Sequence, residues 1–239
     1  VLDQPEISDL EFDSLMTDLL NLEKDYPEFS YKLSPTQRVG GQLLDGFKTV
    51  RHNYPMLSLA NTYSKAELED FDQRIKKYIN IDSVDYTCEL KYDGVAITLI
   101  YQKGFFTQAI TRGDGVFGDD VTENVKTIKS IPLTLFGDFP EFLEIRGEVF
   151  VEKKRFQTIN DNRDKKQNFL KKEYNANIKD LDPSSLDFQK IKKKFIAETK
   201  KLEQYSNARN FASGSLKLLD SSRVASRNLS CILYSIHGD

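Results

Sequence analysis

The 239-residue chain carries 34 basic and 37 acidic side chains, a formal net charge of −3 and a pI near 5.6. Nucleic-acid-binding domains often have a pI above about 9, so any nucleic-acid contact here must rest on local patches. Hydrophobic residues make up 39%, enough for a buried core, and no apolar run approaches the ~18 residues of a spanning helix. The opening residues lack a basic region followed by an apolar one; a cytoplasmic protein without a membrane partner is expected. Cys88 and Cys231 fall in apolar, strand-like stretches and are expected in or beside the core. His52 and His237 lie far apart, which leaves no Cys/His spacing for zinc, and no metal ligand is assigned.

The first element reads as a helix. Ser8 and Glu11 have capping-box spacing, Phe12, Leu15, Met16, Leu19 and Leu22 recur at helical intervals, and Pro27 closes the run. Residues 30–55, with Pro35, Gly40, Gly41 and Pro55, read as loop. A second helix is expected over 64–79, with Leu68, Phe71 and Ile75 on one face. The period then changes to two: Asp85 to Lys91 alternates, Tyr92-Asp-Gly94 turns, Val95 to Tyr101 alternates again, and a Lys103-Gly104 turn leads to a strand over 105–111. That pattern predicts an antiparallel meander. Asp119 and Asp120 start a short helix with Val121, Val125 and Ile128 as its apolar stripe. Strands follow over 142–151 and 228–236. Between Asn160 and Tyr205 the chain turns lysine-rich, a solvated helical insertion with a hairpin expected near Asp182-Pro183. The class is α+β, built on antiparallel sheet.

Four stretches carry residues suited to chemistry. Alternation would place Thr87, Glu89 and Lys91 on one strand face, ahead of Asp93 and Gly94. A lysine there can act as a nucleophile once it has lost its proton; the bland alternative is an exposed Glu/Lys hairpin. Gly113-x-Gly115-x-x-Gly118 superficially fits a dinucleotide loop. Asp114, Asp119 and Asp120 surround the place for pyrophosphate, and the expected sheet is not parallel, so that reading fails. Arg112, beside it, suits a phosphate or ribose. In Leu143 to Phe150 alternation puts Glu144, Arg146 and Glu148 on one face, as either surface ion pairs or a nucleotide-facing strand with a carboxylate for ribose or hydrated Mg²⁺. Asn207 to Lys217 is rich in small residues, with Arg209 and Lys217 suited to phosphate contacts; a helix packed on the sheet is the alternative.

In order and spacing these blocks resemble the NAD⁺-dependent DNA ligases of bacteria. They are Ser34-Pro-Thr-Gln-Arg-Val-Gly40, His52 with Pro55-Met-Leu-Ser-Leu59, Glu89-Leu-Lys-Tyr-Asp-Gly94, Thr111-Arg-Gly-Asp-Gly115, Asp119-Asp-Val-Thr-x-Asn-Val125, Thr127-Ile128, Ile131-Pro132, Arg146-Gly-Glu-Val-Phe150 and Arg209-Asn-x-Ala-x-Gly-Ser-Leu216. The stretch from Leu219 to Arg227, with Tyr234 after it, is similar to the Bacteroidetes branch. The resemblance implies a ligase-type nucleotidyltransferase domain, unrelated to ATP-grasp, over 47–239. It would carry the insertion at about 161–205 and follow a small helical nicotinamide-side part over 1–46.

The resemblance also implies roles. Lys91 would attack the α-phosphorus of NAD⁺, with Mg²⁺ assisting and Asp93 beside it in the catalytic motif, and pass AMP to nicked double-stranded DNA in replication and repair. Ser58, Leu59, Glu89, Tyr92, Arg112, Glu148 and Tyr234 would surround the adenosine part. Asp9, Leu10, Glu11, Phe12 and Asp13 would lie on the nicotinamide side, and Arg209 and Lys217 would contact DNA. Phe12 departs from the family's tyrosine. The family's Tyr-His pair would precede Val1. Its late D-G-x-V-x-K strand, oligonucleotide-binding barrel, zinc module and helix-hairpin-helix region would follow Asp239, so zinc is expected only there. The chain is therefore expected to be an adenylation core that binds adenosine and does not seal nicks. The alternatives are a non-catalytic nucleotide binder and an ATP-dependent lysine nucleotidyltransferase. No protein partner is indicated.

Overall fold

The computed structural model describes residues 7, 9–29, 34–38, 46–179 and 181–238, with seven α-helices and six strands among them. The centre is a four-stranded antiparallel sheet of β2 (Val95–Gln102), β3 (Phe105–Thr111), β5 (Phe142–Phe150) and β6 (Ser230–Gly238) in the order β3-β2-β5-β6. A short pair, β1 (Thr49–Arg51) with β4 (Phe117–Asp119), forms a second sheet. The Lys103-Gly104 turn has both residues at positive φ, 51° and 78°, which matches the twist of a two-residue hairpin. The α+β expectation holds.

Alternation sorts the sheet into two faces. Ile97, Leu99, Tyr101, Ala109, Ile145 and Val149 pack on one side. They are covered by the short helix α3 (Thr122–Val125), by α6 (Ala208–Leu216) through Phe211, Ala212 and Leu216, and by Val224 of α7 (Ser221–Arg227). The opposite side of β2 and β5 carries Thr98, Glu144, Arg146 and Glu148. The Asn207 to Lys217 stretch thus forms the small-residue helix on the sheet, capped by the Asn207 side chain, which accepts from the Asn210 N–H at 2.6 Å. Cys231 lies half-buried beside this core, where burial, aided by the Glu148 charge, pushes its thiol up to about 12.

Several expectations change. Asp85 to Lys91 is not a strand: residues 83–93 run on without regular structure. An extended segment becomes a strand only where a neighbour satisfies its N–H and C=O groups, and among the described residues this one has no such partner. Cys88, on that stretch, is exposed. Residues 30–55, read as loop, contain the 3₁₀ turn Pro35–Arg38 and β1. The turn after Gly115 closes into β4. Helix α1 (Asp9–Asp25) forms as expected, but Phe12, Leu15 and Leu22 are exposed, Leu15 at 58%. Ser8, Gly40 and Gly41 lie outside the described residues. Helix α2 (Lys65–Ile79) starts at its Ser64 cap and buries no residue. Phe71 meets the Tyr86 ring, and the Tyr86 hydroxyl donates to Asp72 at 2.8 Å.

The lysine-rich stretch is a pair of helices, α4 (Lys153–Ile178) and α5 (Leu186–Lys201), with a turn at Asp182. Helix α4 begins directly after β5, ahead of the Asn160 boundary read from composition. Stacking of Tyr174 on Phe195 at 4.2 Å, together with Arg163 reaching the Lys201 and Glu203 carbonyls, fixes an antiparallel pairing.

Buried Asn124 ties α3 to the far end of α6, donating to the carbonyls of Leu216 at 2.7 Å and Leu218 at 2.8 Å. Asn124→Ala strands both acceptors in the core, where an unsatisfied group costs about 1–3 kcal/mol. Urea unfolding is expected to show a loss of about 2 kcal/mol or more; a loss below about 0.5 kcal/mol would mean that the two carbonyls find other donors.

Candidate active site

At residue 94 the chain enters β2 so close to β5 that a side chain has no room: a Cβ on Gly94 would overlap the carbonyl oxygen of Val149. The freedom of glycine to approach another backbone lets its N–H donate to Glu148 Oε1 at 3.0 Å. The side chain before it, Asp93, accepts from Arg209 Nη1 at 3.0 Å, which joins the start of α6 to the same point. The charges of Lys91 and Arg209 favour the ionised form of Glu148 and that of Asp93 opposes it, but burial is the largest influence, and the Glu148 carboxyl is raised above its ordinary range. The turn that follows Lys91 is thus tied to β5 through Gly94 and Glu148 and to α6 through Asp93 and Arg209. Lys91 itself is exposed.

Tyr234, two residues after the Ile232 partner of Glu148, sits at an irregularity in pairing. Arg146 pairs with Ser235 and Gly147 with Leu233, so Tyr234 is the extra residue of a bulge in β6, a device that re-aims a side chain. It is 50% exposed. Burial and then the Glu148 charge raise its hydroxyl, while Arg146 and Arg112 act in the opposite sense. A half-open aromatic ring suits stacking on a base. Tyr92, at the mouth, rests on Phe150 with ring centroids 5.0 Å apart.

The wall is built by residues 52–56 against the turn after β3. His52 Nε2 lies 3.1 Å from the Thr111 carbonyl and 3.2 Å from that of Arg112. Both are acceptors, so this nitrogen carries the hydrogen. The Met56 N–H donates to the Gly115 carbonyl at 2.8 Å. In the turn, Gly113 takes φ +56°, and Asp114 Oδ1 accepts from the N–H groups of Phe117 at 2.7 Å and Val116 at 2.8 Å. Those bonds hold the Asp114 carboxyl below its ordinary range and occupy donors that a pyrophosphate loop would offer. With the antiparallel sheet, this agrees with rejecting the dinucleotide-loop reading.

Sequence reasoning overlooked how the wall is fastened. Asn53 donates to Glu144 Oε2 at 3.2 Å, Arg146 Nη2 donates to the Tyr54 carbonyl at 2.9 Å, and Tyr54 stacks on His237 at 5.2 Å. Glu144 is fully buried and lies 3.7 Å from Arg146. The alternation of Glu144, Arg146 and Glu148 was the available signal, but their partners were not legible.

Other expected residues are not drawn in. Ser58, Leu59 and Glu89 are exposed on irregular stretches. Arg112 is exposed at the end of β3. Lys217 pairs with Asp119 at 2.7 Å, which engages its ammonium within the chain. Glu11 and Phe12 lie on α1, and the side chains of Asp9, Leu10 and Asp13 lie outside the described residues. Among the described residues no three His, Cys, Asp or Glu side chains cluster as a metal site, and no helix is long and apolar enough to cross a membrane.

Comparison with known proteins adds to this geometry. A family model described as the NAD-dependent DNA ligase adenylation domain matches residues 44–185 and 181–239. One described as the DNA ligase-like, N-terminal NAD+-binding domain matches residues 1–40. The DNA ligase of Flavobacterium psychrophilum is 45% identical over 239 residues, covering 100% of this chain and 31% of the relative. That of Thermosipho africanus is 44% identical over 236 residues, 99% of this chain and 30% of the relative. That of Bacteroides fragilis is 44% identical over 240 residues, 100% and 31%. The chain thus spans about a third of the length of these relatives.

The raised carboxyl of Glu148 has a consequence for stability. The folded chain holds this proton more tightly than the unfolded chain, so stability falls as pH rises from the ordinary carboxylate range through the raised value. Glu148→Gln keeps an acceptor for Gly94 and removes the buried charge. In urea unfolding at pH 7 the variant is expected to be at least as stable as the parent, the difference shrinking as pH falls below about 4. A variant less stable at pH 7 by more than about 1 kcal/mol would show that the carboxylate is a net stabiliser.

Proposed function

The chain belongs to the NAD-dependent DNA ligases, as a segment that includes their adenylation domain, and on that premise we propose that Lys91 is the residue that accepts AMP from NAD⁺. What supports the reading is the place of Lys91 at the head of a turn fastened twice: Asp93 accepts from Arg209 of α6, and the Gly94 N–H donates to the buried Glu148.

In the proposed reaction the unprotonated Nζ of Lys91 attacks the α-phosphorus of NAD⁺. A phosphorus–nitrogen bond forms, the phosphorus–oxygen bond to nicotinamide mononucleotide breaks, and the amine proton is lost to solvent. AMP then passes to the 5′-phosphate at a nick in DNA, and the adjoining 3′-hydroxyl displaces it. Tyr234 stacks on the adenine, Glu148 meets the ribose hydroxyls, and Arg112 meets the phosphate. Ser58, Leu59, Glu89 and Tyr92 close the adenosine pocket, and Asp9, Leu10, Glu11, Phe12 and Asp13 serve the nicotinamide end. Arg209, through Asp93, positions the lysine-bearing turn. Residues 1–46 form the nicotinamide-side part and 47–239 the nucleotidyltransferase domain, working in the cytoplasm on nicked duplex DNA.

Mg²⁺ fits this site as a hydrated ion carried by the phosphates, which needs one or two carboxylates rather than a cage. Glu148 is the acidic group to hold it through water. When bound, the ion supplies positive charge against the phosphate oxygens.

Intact mass spectrometry after incubation with NAD⁺ and Mg²⁺ tests the assignment. One AMP is expected on the parent chain, slowly, and none when ATP replaces NAD⁺. Lys91→Arg keeps the positive charge but presents a guanidinium that stays protonated and is expected to gain nothing. An AMP adduct on the Arg variant would contradict the reading.

A further inference from the structure

The charge of this chain is divided between two bodies. Residues 153–204 hold 15 basic and 8 acidic side chains, whereas the rest holds 19 basic and 29 acidic. The acidic remainder repels a polyanion, and the positive balance is confined to the α4–α5 hairpin.

The hairpin organises that charge. Lys165, Lys172 and Lys179 recur every seven residues, two turns apart, and form one row along α4 at intervals of roughly 10 Å; all three are exposed. On the other side of the helix Phe156, Ile159, Leu170, Tyr174 and Ile178 are half-buried. Lys193 and Lys200 repeat the seven-residue interval on the exposed surface of α5. The ion pairs within the hairpin are Lys190 with Asp187 and Lys194 with Glu198, both at 3.9 Å and exposed. The five lysines of the two rows have no ion-pair partner among the described residues.

The root is fastened where the active site begins. Helix α4 leaves β5 five residues after Glu148, and the hairpin returns at Tyr205, four residues before Arg209. There Asn160 exchanges two hydrogen bonds with the Tyr205 backbone, at 3.1 and 3.0 Å. Arg163 lies 4.2 Å over the Tyr205 ring while donating to Glu203, and Tyr205 packs edge-on against Phe211 of the core. A 26-residue helix spans about 39 Å, close to one turn of duplex DNA at 34–36 Å.

We propose that the α4–α5 hairpin is an arm that binds the phosphate backbone of double-stranded DNA flanking the site, with Lys165, Lys172, Lys179, Lys193 and Lys200 as its contacts. The inference rests on the ligase reading for its choice of polyanion. Contacts of this kind carry no sequence information and act through counterion release, each phosphate neutralised adding about 0.9 to the slope of log affinity against log salt.

The experiment titrates the complete 239-residue chain against a fluorescent nicked duplex of about 30 base pairs, by anisotropy across a salt series. Two variants carry the five lysines changed together, to Gln or to Arg. The Gln variant is expected to lose tenfold or more in affinity at about 0.1 M salt, with its slope lowered by two to four, given about 0.9 per contact. The Arg variant keeps both. Equal affinity and slope in parent and Gln variant would overturn the proposal, as would no duplex binding by the parent at low salt. More effective competition by polyglutamate than by unlabelled duplex would also overturn it, assigning the arm to an acidic polypeptide. Calorimetric titration of AMP reports on the ligase reading separately: AMP binding with coincident salt slopes leaves that reading standing without the arm. Absent AMP binding with divergent slopes leaves a duplex-binding arm without the ligase reading.

Discussion

The approach of the backbone at Gly94 to the carbonyl of Val149 is the constraint on which the site depends. Any side chain at residue 94 would hold the start of β2 away from β5. Without that approach the Gly94 N–H could not reach Glu148, and Asp93, one residue earlier, would be moved from Arg209. One missing methyl group thus registers a turn, a central strand and the start of α6. The core on the other face of the sheet makes the register rigid, because Ile97, Leu99, Ile145 and Val149 permit no one-residue slip without reversing every side chain.

Much of this was legible as pattern. The alternation in Val95 to Tyr101 and in Leu143 to Phe150 separates core from polar face by itself, because side chains of a strand alternate. Lys103-Gly104 announces its hairpin, and Ser64 caps its helix. The failures have a common cause. Asp85 to Lys91 has the composition of a strand but no partner among the described residues, and pairing belongs to a neighbour rather than to the segment. The bulge at Tyr234 likewise exists only in the register between β5 and β6. The fastening of residues 53 and 54 to Glu144 and Arg146 joins positions some ninety residues apart, which local reasoning does not reach.

The site sets function against stability in a recognisable way. A carboxylate is kept in a buried place that favours its neutral form, partly offset by two cations and one backbone N–H. Lys91, Ser58, Leu59 and Glu89 are exposed on irregular chain, whereas Glu148 lies on regular sheet.

The central claim is that the Gly94–Glu148 approach builds the adenosine site. Calorimetric titration of AMP onto the chain, Gly94→Ala and Gly46→Ala tests it most directly. An added methyl at Gly46 meets nothing within 4 Å among the described residues, so this variant is the control for glycine replacement itself. The account predicts that the parent and Gly46→Ala bind AMP alike and that Gly94→Ala, still folded by circular dichroism, binds at least tenfold more weakly. Equal AMP affinity in all three would contradict it.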